Sequence, residues 1–207
     1  MSDSSEWSCL HIDLLNALSS AERSYQELCK TMNNYIPTGL NQTLSPRVEK
    51  TIVFRNETQS IRMTIILLSC SLIEAYINFY LSLKTNSDQF SALERLQLLD
   101  KWLTVPSLFL PHYKIDKSTQ LYNDLSGLVE HRNRLIHTKP LVIRDGKLIH
   151  KGYSPKRHNS EHELILHYIS LPLRLLKHLA KFESDDIKSS LAISSGYPSE
   201  KVLPSQA

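Results

Sequence analysis

The sequence predicts an all-α protein, and three observations predict it. Glycine is scarce, at 5 of 207 residues. Apolar side chains recur at three- and four-residue spacing over long runs, the repeat of one helix face. Ser91-Ala-Leu-Glu94 and Ser160-Glu-His-Glu163 both have the Ser-x-x-Glu pattern that closes a helix N-terminus. The length suits one domain, taken as residues 1–183. From 184 to 207 the chain is polar and Ser/Pro-rich, which predicts a disordered tail.

The elements follow in order. Residues 5–33 carry Trp7, Leu14, Leu18, Ala21, Tyr25, Leu28 and Met32 on one stripe, so they predict an amphipathic helix. Residues 34–56 hold Pro37, Gly39 and Pro46 and read as a long connection, with an extended piece at TIVF. Asn56 or Thr58 caps a second helix running to Lys84. That helix is apolar almost all round, which marks it as central. Its run Ile65–Leu83 includes Ser69, Ser71, Glu74, Asn78 and Ser82, and reads as a buried helix rather than a membrane span. A third helix runs from Ser91 to about Leu103, before Pro106 and Pro111 break the chain. A fourth starts at Asp116 or Ser118 and ends near Thr138, ahead of Pro140. Asp145-Gly146 between two apolar-containing runs (141–150) predicts a β-hairpin. The fifth helix runs from Ser160 to Phe182, kinked at Pro172. The expected architecture is a bundle of about five helices with a small hairpin after the fourth.

Two charges stand where a helix should be apolar. On a wheel of about 100° per residue, Leu121, Leu125, Leu128, Val129, Leu135 and Ile136 all lie within about 60° of Arg132. Glu74 is the single acidic residue between Met63 and Leu83, among Met63, Leu67, Cys70, Ile77 and Leu81. A lone Arg and a lone Glu in apolar stripes predict that the two approach each other. The alternative is a pair that only fixes helix register.

His137 lies about 140° from Arg132 at the edge of the stripe. Asn133 is one turn before it, within reach of its ring. In the last turn, the helix dipole favours the imidazolium and suits acid–base work near neutrality. The alternative is an exposed C-terminal histidine.

Basic charge follows directly. Residues 131–158 contain Arg132, Arg134, Lys139, Arg144, Lys147, Lys151, Lys156 and Arg157 against Asp145 alone, a net +7 in a chain of +3. Such a patch suits a polyanion, most commonly a phosphate backbone, and Tyr153 and His158 within it can stack on bases. The alternative is a solvated loop. Cys9, Cys29 and Cys70 lack metal or disulfide spacing and read as reduced thiols. With a polar, acidic N-terminus, this gives a cytoplasmic expectation with no membrane. His158 and His162 have no Cys or paired carboxylate to complete a ligand set, so no metal and no cofactor is expected. No phosphate-cradling glycine loop or nucleophile elbow is present.

The stretch Arg132-Asn133-Arg134-Leu135-Ile136-His137 resembles the motif of the HEPN superfamily, an Arg with four to six residues before a His near the end of a long helix. SLIEAYINFYL (71–81) resembles the central helix of those bundles, and SALERLQLLDKWL (91–103) the helix after it. The resemblance spans residues 57–180. It implies a metal-independent endoribonuclease acting as a homodimer, with the motifs of two chains meeting in one cleft, and a role as a toxin or antiphage effector. In that scheme Arg132 and His137 are catalytic, Asn133 orients His137 or binds phosphate, and Glu74 holds Arg132. RNA lies along Arg134, Lys139, Arg144, Lys147, Lys151, Lys156 and Arg157. An antitoxin or regulatory protein is a further partner that the resemblance implies. Lys139 stands where toxin members paired with a nucleotidyltransferase carry a tyrosine, so regulation through that tyrosine is not expected. Other HEPN proteins bind RNA, nucleotides or proteins without cleaving, and that non-catalytic reading stands as the alternative.

Overall fold

A 41-residue helix, Leu44–Lys84 (α2), forms the axis of the molecule. The computed structural model describes residues 4–34, 44–136, 142–144, 147–150, 161–195 and 197. Around α2 lie α1 (Ser4–Asn34), α3 (Ser87–Leu93), α4 (Leu98–Phe109), α5 (Gln120–Ile136), α6 (Glu161–Ala180) and α7 (Asp185–Ser195), each in contact with it. The fold is all-α in its main body. Val142–Arg144 (β1) and Lys147–His150 (β2) pair antiparallel, with Arg144 opposite Lys147.

The apolar girth of α2 explains its central place. Ile65, Leu72, Ile73, Ile77 and Tyr80 are all fully buried, and they point in several directions around the axis. Val53–Lys84 is long and apolar enough to cross a membrane by length and composition, its most apolar 18-residue window having a mean hydropathy of 1.6. Of its most apolar window, 56% is buried against the fold. α1 contributes His11, Leu18 and Tyr25, seven residues apart and fully buried, so one side of it is seated.

Several boundaries differ from the sequence expectation, each for a local reason. α2 begins at Leu44, so TIVF is helical rather than extended. Pro46 is its third residue, where no intrahelical N–H is required, and it therefore starts a helix instead of breaking one. Thr58 is no cap: its hydroxyl donates back to the Phe54 carbonyl at 2.7 Å within the helix. The third helix is two. Asn86 caps α3, accepting from Gln89 N at 3.0 Å while Gln89 Oε1 accepts from Asn86 N at 3.3 Å. That box lies five residues before Ser91, which is interior to α3.

α4 continues through Pro106 to Phe109. Proline cannot donate to the Trp102 carbonyl four residues earlier. The Tyr113 hydroxyl takes that carbonyl instead, at 3.2 Å, while Trp102 Nε1 donates to the Ile73 carbonyl at 3.2 Å. α5 starts at Gln120, after a turn in which Asp116 Oδ1 accepts from Ser118 N at 2.8 Å. Asp185–Ser195, expected within a disordered tail, is a helix. Leu191 and Ala192 are buried, and the Tyr76 hydroxyl donates to the Ser195 carbonyl at 2.6 Å. The Tyr80 hydroxyl donates to Glu183, which Lys84 also meets at 3.0 Å, so two tyrosines of α2 hold this end of the chain.

Candidate functional site

α5 offers three faces. One, with Leu125 and Leu128, is buried toward α2. A second carries Gln120, Asp124, Gly127 and His131, spaced four, three and four residues apart, and it faces α6. The third, turned to solvent, holds Glu130 and Arg134 one turn apart.

Arg132 is half-buried on the last turn, and its Nη1 donates to Asn133 Oδ1 at 3.1 Å. Its charge is felt by the Cys70 thiol of α2. Burial pushes that thiol up to about 12, Arg132 opposing the rise and Glu74 adding to it. Arg132 and Glu74 are therefore both near Cys70, yet they do not bond each other. Glu74 Oε1 receives Lys101 Nζ at 3.1 Å, and the same ammonium donates to Asn78 Oδ1 at 2.9 Å. Glu74 and Arg132 thus share a neighbourhood at Cys70 without a direct ion pair, and Glu74 is bonded by Lys101. A lysine of α4 reaches the site first and is itself only 2% exposed, so it requires an anion. Asn133 accepts from Arg132 at Oδ1, and the expected Asn133–His137 contact lies outside the described residues.

α5 ends at Ile136, so His137 lies outside the described residues, as do Lys139, Lys151, Lys156 and Arg157. Arg144 and Lys147 are on β1 and β2, directly opposite in the ladder. Arg134 is exposed and pairs with Glu130 one turn before it. The structure thus brings Arg132 and Asn133 together, while Glu74 bonds Lys101.

The seam between α5 and α6 holds residues that the sequence reading passed over. Asp124, 3% exposed, accepts at Oδ2 from His167 Nδ1 at 3.0 Å and from Arg174 Nη2. Its Oδ1 accepts from Gln120 Nε2 at 2.6 Å. Burial alone would raise its pKa. The hydrogen bonds from Arg174, His167 and Gln120 outweigh that and hold the carboxyl below its ordinary value. Two turns nearer the motif, His131 Nδ1 lies 2.6 Å from the Tyr168 hydroxyl, with the rings edge-on. Gly127 leaves room for that hydroxyl: a β-carbon there would sit 3.0 Å from it. The signal was present as a polar stripe at four–three–four spacing on a helix whose neighbouring face is apolar. His167 and Arg174, seven residues apart on α6, answer it.

Among the described residues no group of three or more His, Cys, Asp or Glu side chains is placed to hold a metal ion. No protein-family model, curated protein or solved structure matches this chain.

Proposed function

We propose that this chain is a metal-independent endoribonuclease of HEPN type, working as a homodimer. The observation that carries the reading is Arg132. A half-buried guanidinium on the last turn of α5 is tethered by Asn133 and has no carboxylate partner among the described residues. An arginine held in that way is suited to a ligand's phosphate. The all-helical bundle around a central apolar helix and the +7 segment from residue 131 to 158 agree with it.

In the proposed reaction the RNA 2′-hydroxyl attacks its own adjacent phosphate. Its proton passes to His137, and the 5′-oxygen leaves with a proton from His137 of the partner subunit. Arg132 stabilises the charge that develops on the phosphoryl oxygens. The products are a 2′,3′-cyclic phosphate and a 5′-hydroxyl. Two motifs facing across a two-fold axis supply both proton carriers, which a single helix bearing Arg132 and His137 about 140° apart does not. Toxin or antiphage action is the biological setting that the HEPN resemblance implies.

The test is cleavage of labelled RNA by Arg132→Lys and Arg132→Ala variants of the dimer. A transition-state role predicts a loss of about 100-fold or more in kcat for Arg132→Ala, with thermal stability retained. Salt-sensitive RNA binding without cleavage by the wild type would favour the non-catalytic module.

A further inference from the structure

An imidazole and a guanidinium converge on one buried carboxylate in the α5–α6 seam. His167 Nδ1 and Arg174 Nη2 both bond Asp124 Oδ2, so their heads stand no more than about 6 Å apart by hydrogen-bond lengths. A single tetrahedral phosphate can bridge that gap. Asp124 itself is 3% exposed, whereas the side chains of His167 and Arg174 are 43% and 32% exposed. An approaching ligand therefore meets the imidazole and the guanidinium, and the carboxylate lies behind them. With Nδ1 turned to Asp124, His167 presents Nε2 away from the carboxylate. Arg174 also donates to the His167 carbonyl at 3.4 Å, and its buried Nε has no acceptor among the described residues. Its donor capacity is not exhausted by Asp124. Asp124 precedes Arg132 by eight residues, about 12 Å along the α5 axis, so the two places meet different phosphates.

We propose that His167 and Arg174, aligned by Asp124, form a phosphate-binding subsite for the backbone of an RNA strand whose reacting linkage lies at Arg132. The inference rests on the ribonuclease reading for its ligand, and its test can fail separately from it.

The probe is a fully 2′-O-methylated oligonucleotide, which lacks the attacking hydroxyl, bound to full-length protein over a range of salt concentrations. The double variant Asp124→Asn/Arg174→Gln removes one charge of each sign, so net charge is unchanged and bulk attraction is not altered. The subsite predicts about a 10-fold weaker affinity, and a slope of log K against log salt shallower by about 0.7, one lost contact on a single strand. His167→Gln, which keeps an N–H for Asp124, should weaken binding in the same direction. Inorganic phosphate should shift the His167 imidazole resonances of the wild type, and chloride at equal ionic strength should not. Wild-type affinity and slope in His167→Gln, or in a folded double variant, would overturn the subsite. So would a wild type that does not bind the oligonucleotide. Weakened variants alongside a wild type unable to cleave unmodified RNA would keep the subsite and remove the ribonuclease. Cleavage by the wild type with unchanged binding in the variants would do the reverse.

Discussion

Lys101 Nζ lies 3.1 Å from Glu74 Oε1, joining α4 to α2 through a lysine that is 2% exposed. This contact gives the single acidic residue between Met63 and Leu83 a structural partner. Removing the carboxylate leaves the ammonium buried with Asn78 alone. Glu74→Ala should cost about 2 kcal/mol in urea unfolding, less than a fully buried pair because Glu74 is 42% exposed. Glu74→Gln/Lys101→Met should recover most of that loss, and the folded Glu74→Gln protein should cleave RNA at close to the wild-type rate. A sharp fall in kcat without a fall in stability would show that Glu74 acts at the site.

Asp124 ties stability to pH. Its folded carboxyl sits below the ordinary value, so the native state favours the ionised form. The stabilisation is complete above the unfolded value of about 3.9 and is lost as pH falls through the lower folded value. Unfolding free energy measured from pH 6 downward should therefore drop through the acid range. Asp124→Asn should flatten that drop while lowering stability at neutrality. A variant with an unchanged acid profile would show that other carboxylates govern it.

Gly127 and Tyr168 should be coupled. Alanine in place of a mid-helix glycine ordinarily stabilises by about 1 kcal/mol. Here the added carbon would meet the Tyr168 hydroxyl at 3.0 Å, and that ring is fully buried. Gly127→Ala alone should bring no gain or a loss, whereas in a Tyr168→Phe background it should stabilise. Additive effects across this double-mutant cycle would show that the contact relaxes freely.

α7 depends on α2. Tyr76→Phe removes the donor to the Ser195 carbonyl. Amide exchange across Asp185–Ser195 should then speed up by roughly 10-fold, about 1.4 kcal/mol of local stability, while the α2 core stays protected. Equal acceleration in both helices would mean that α7 opens only with the whole fold.

The comparison of sequence and structure follows from where the information sits. α2 was legible because an all-round apolar helix has few places to go but the centre. The path of the charges was not. Lys101 sits in a run, Leu98–Phe109, whose other buried members are apolar or proline, and nothing local says that its ammonium turns inward to α2. Asp124, His131, His167 and Arg174 give no local sign of their contacts, since their partners lie 37 to 50 residues away in sequence. α7 was missed because its own apolar residues are few, and its anchors, Tyr76 and Tyr80, lie more than 100 residues earlier. Arg132 was legible as an anomaly on its own helix, but its tether to Asn133 was not.

The measurement that bears most directly on the proposed activity is the end chemistry of RNA cut by the purified wild type and by His137→Ala in the presence of EDTA. The account predicts fragments ending in 2′,3′-cyclic phosphate with the wild type and none with the variant, both proteins being equally folded and equally dimeric. Equal cleavage by the variant, or cleavage that stops on chelation, would contradict it.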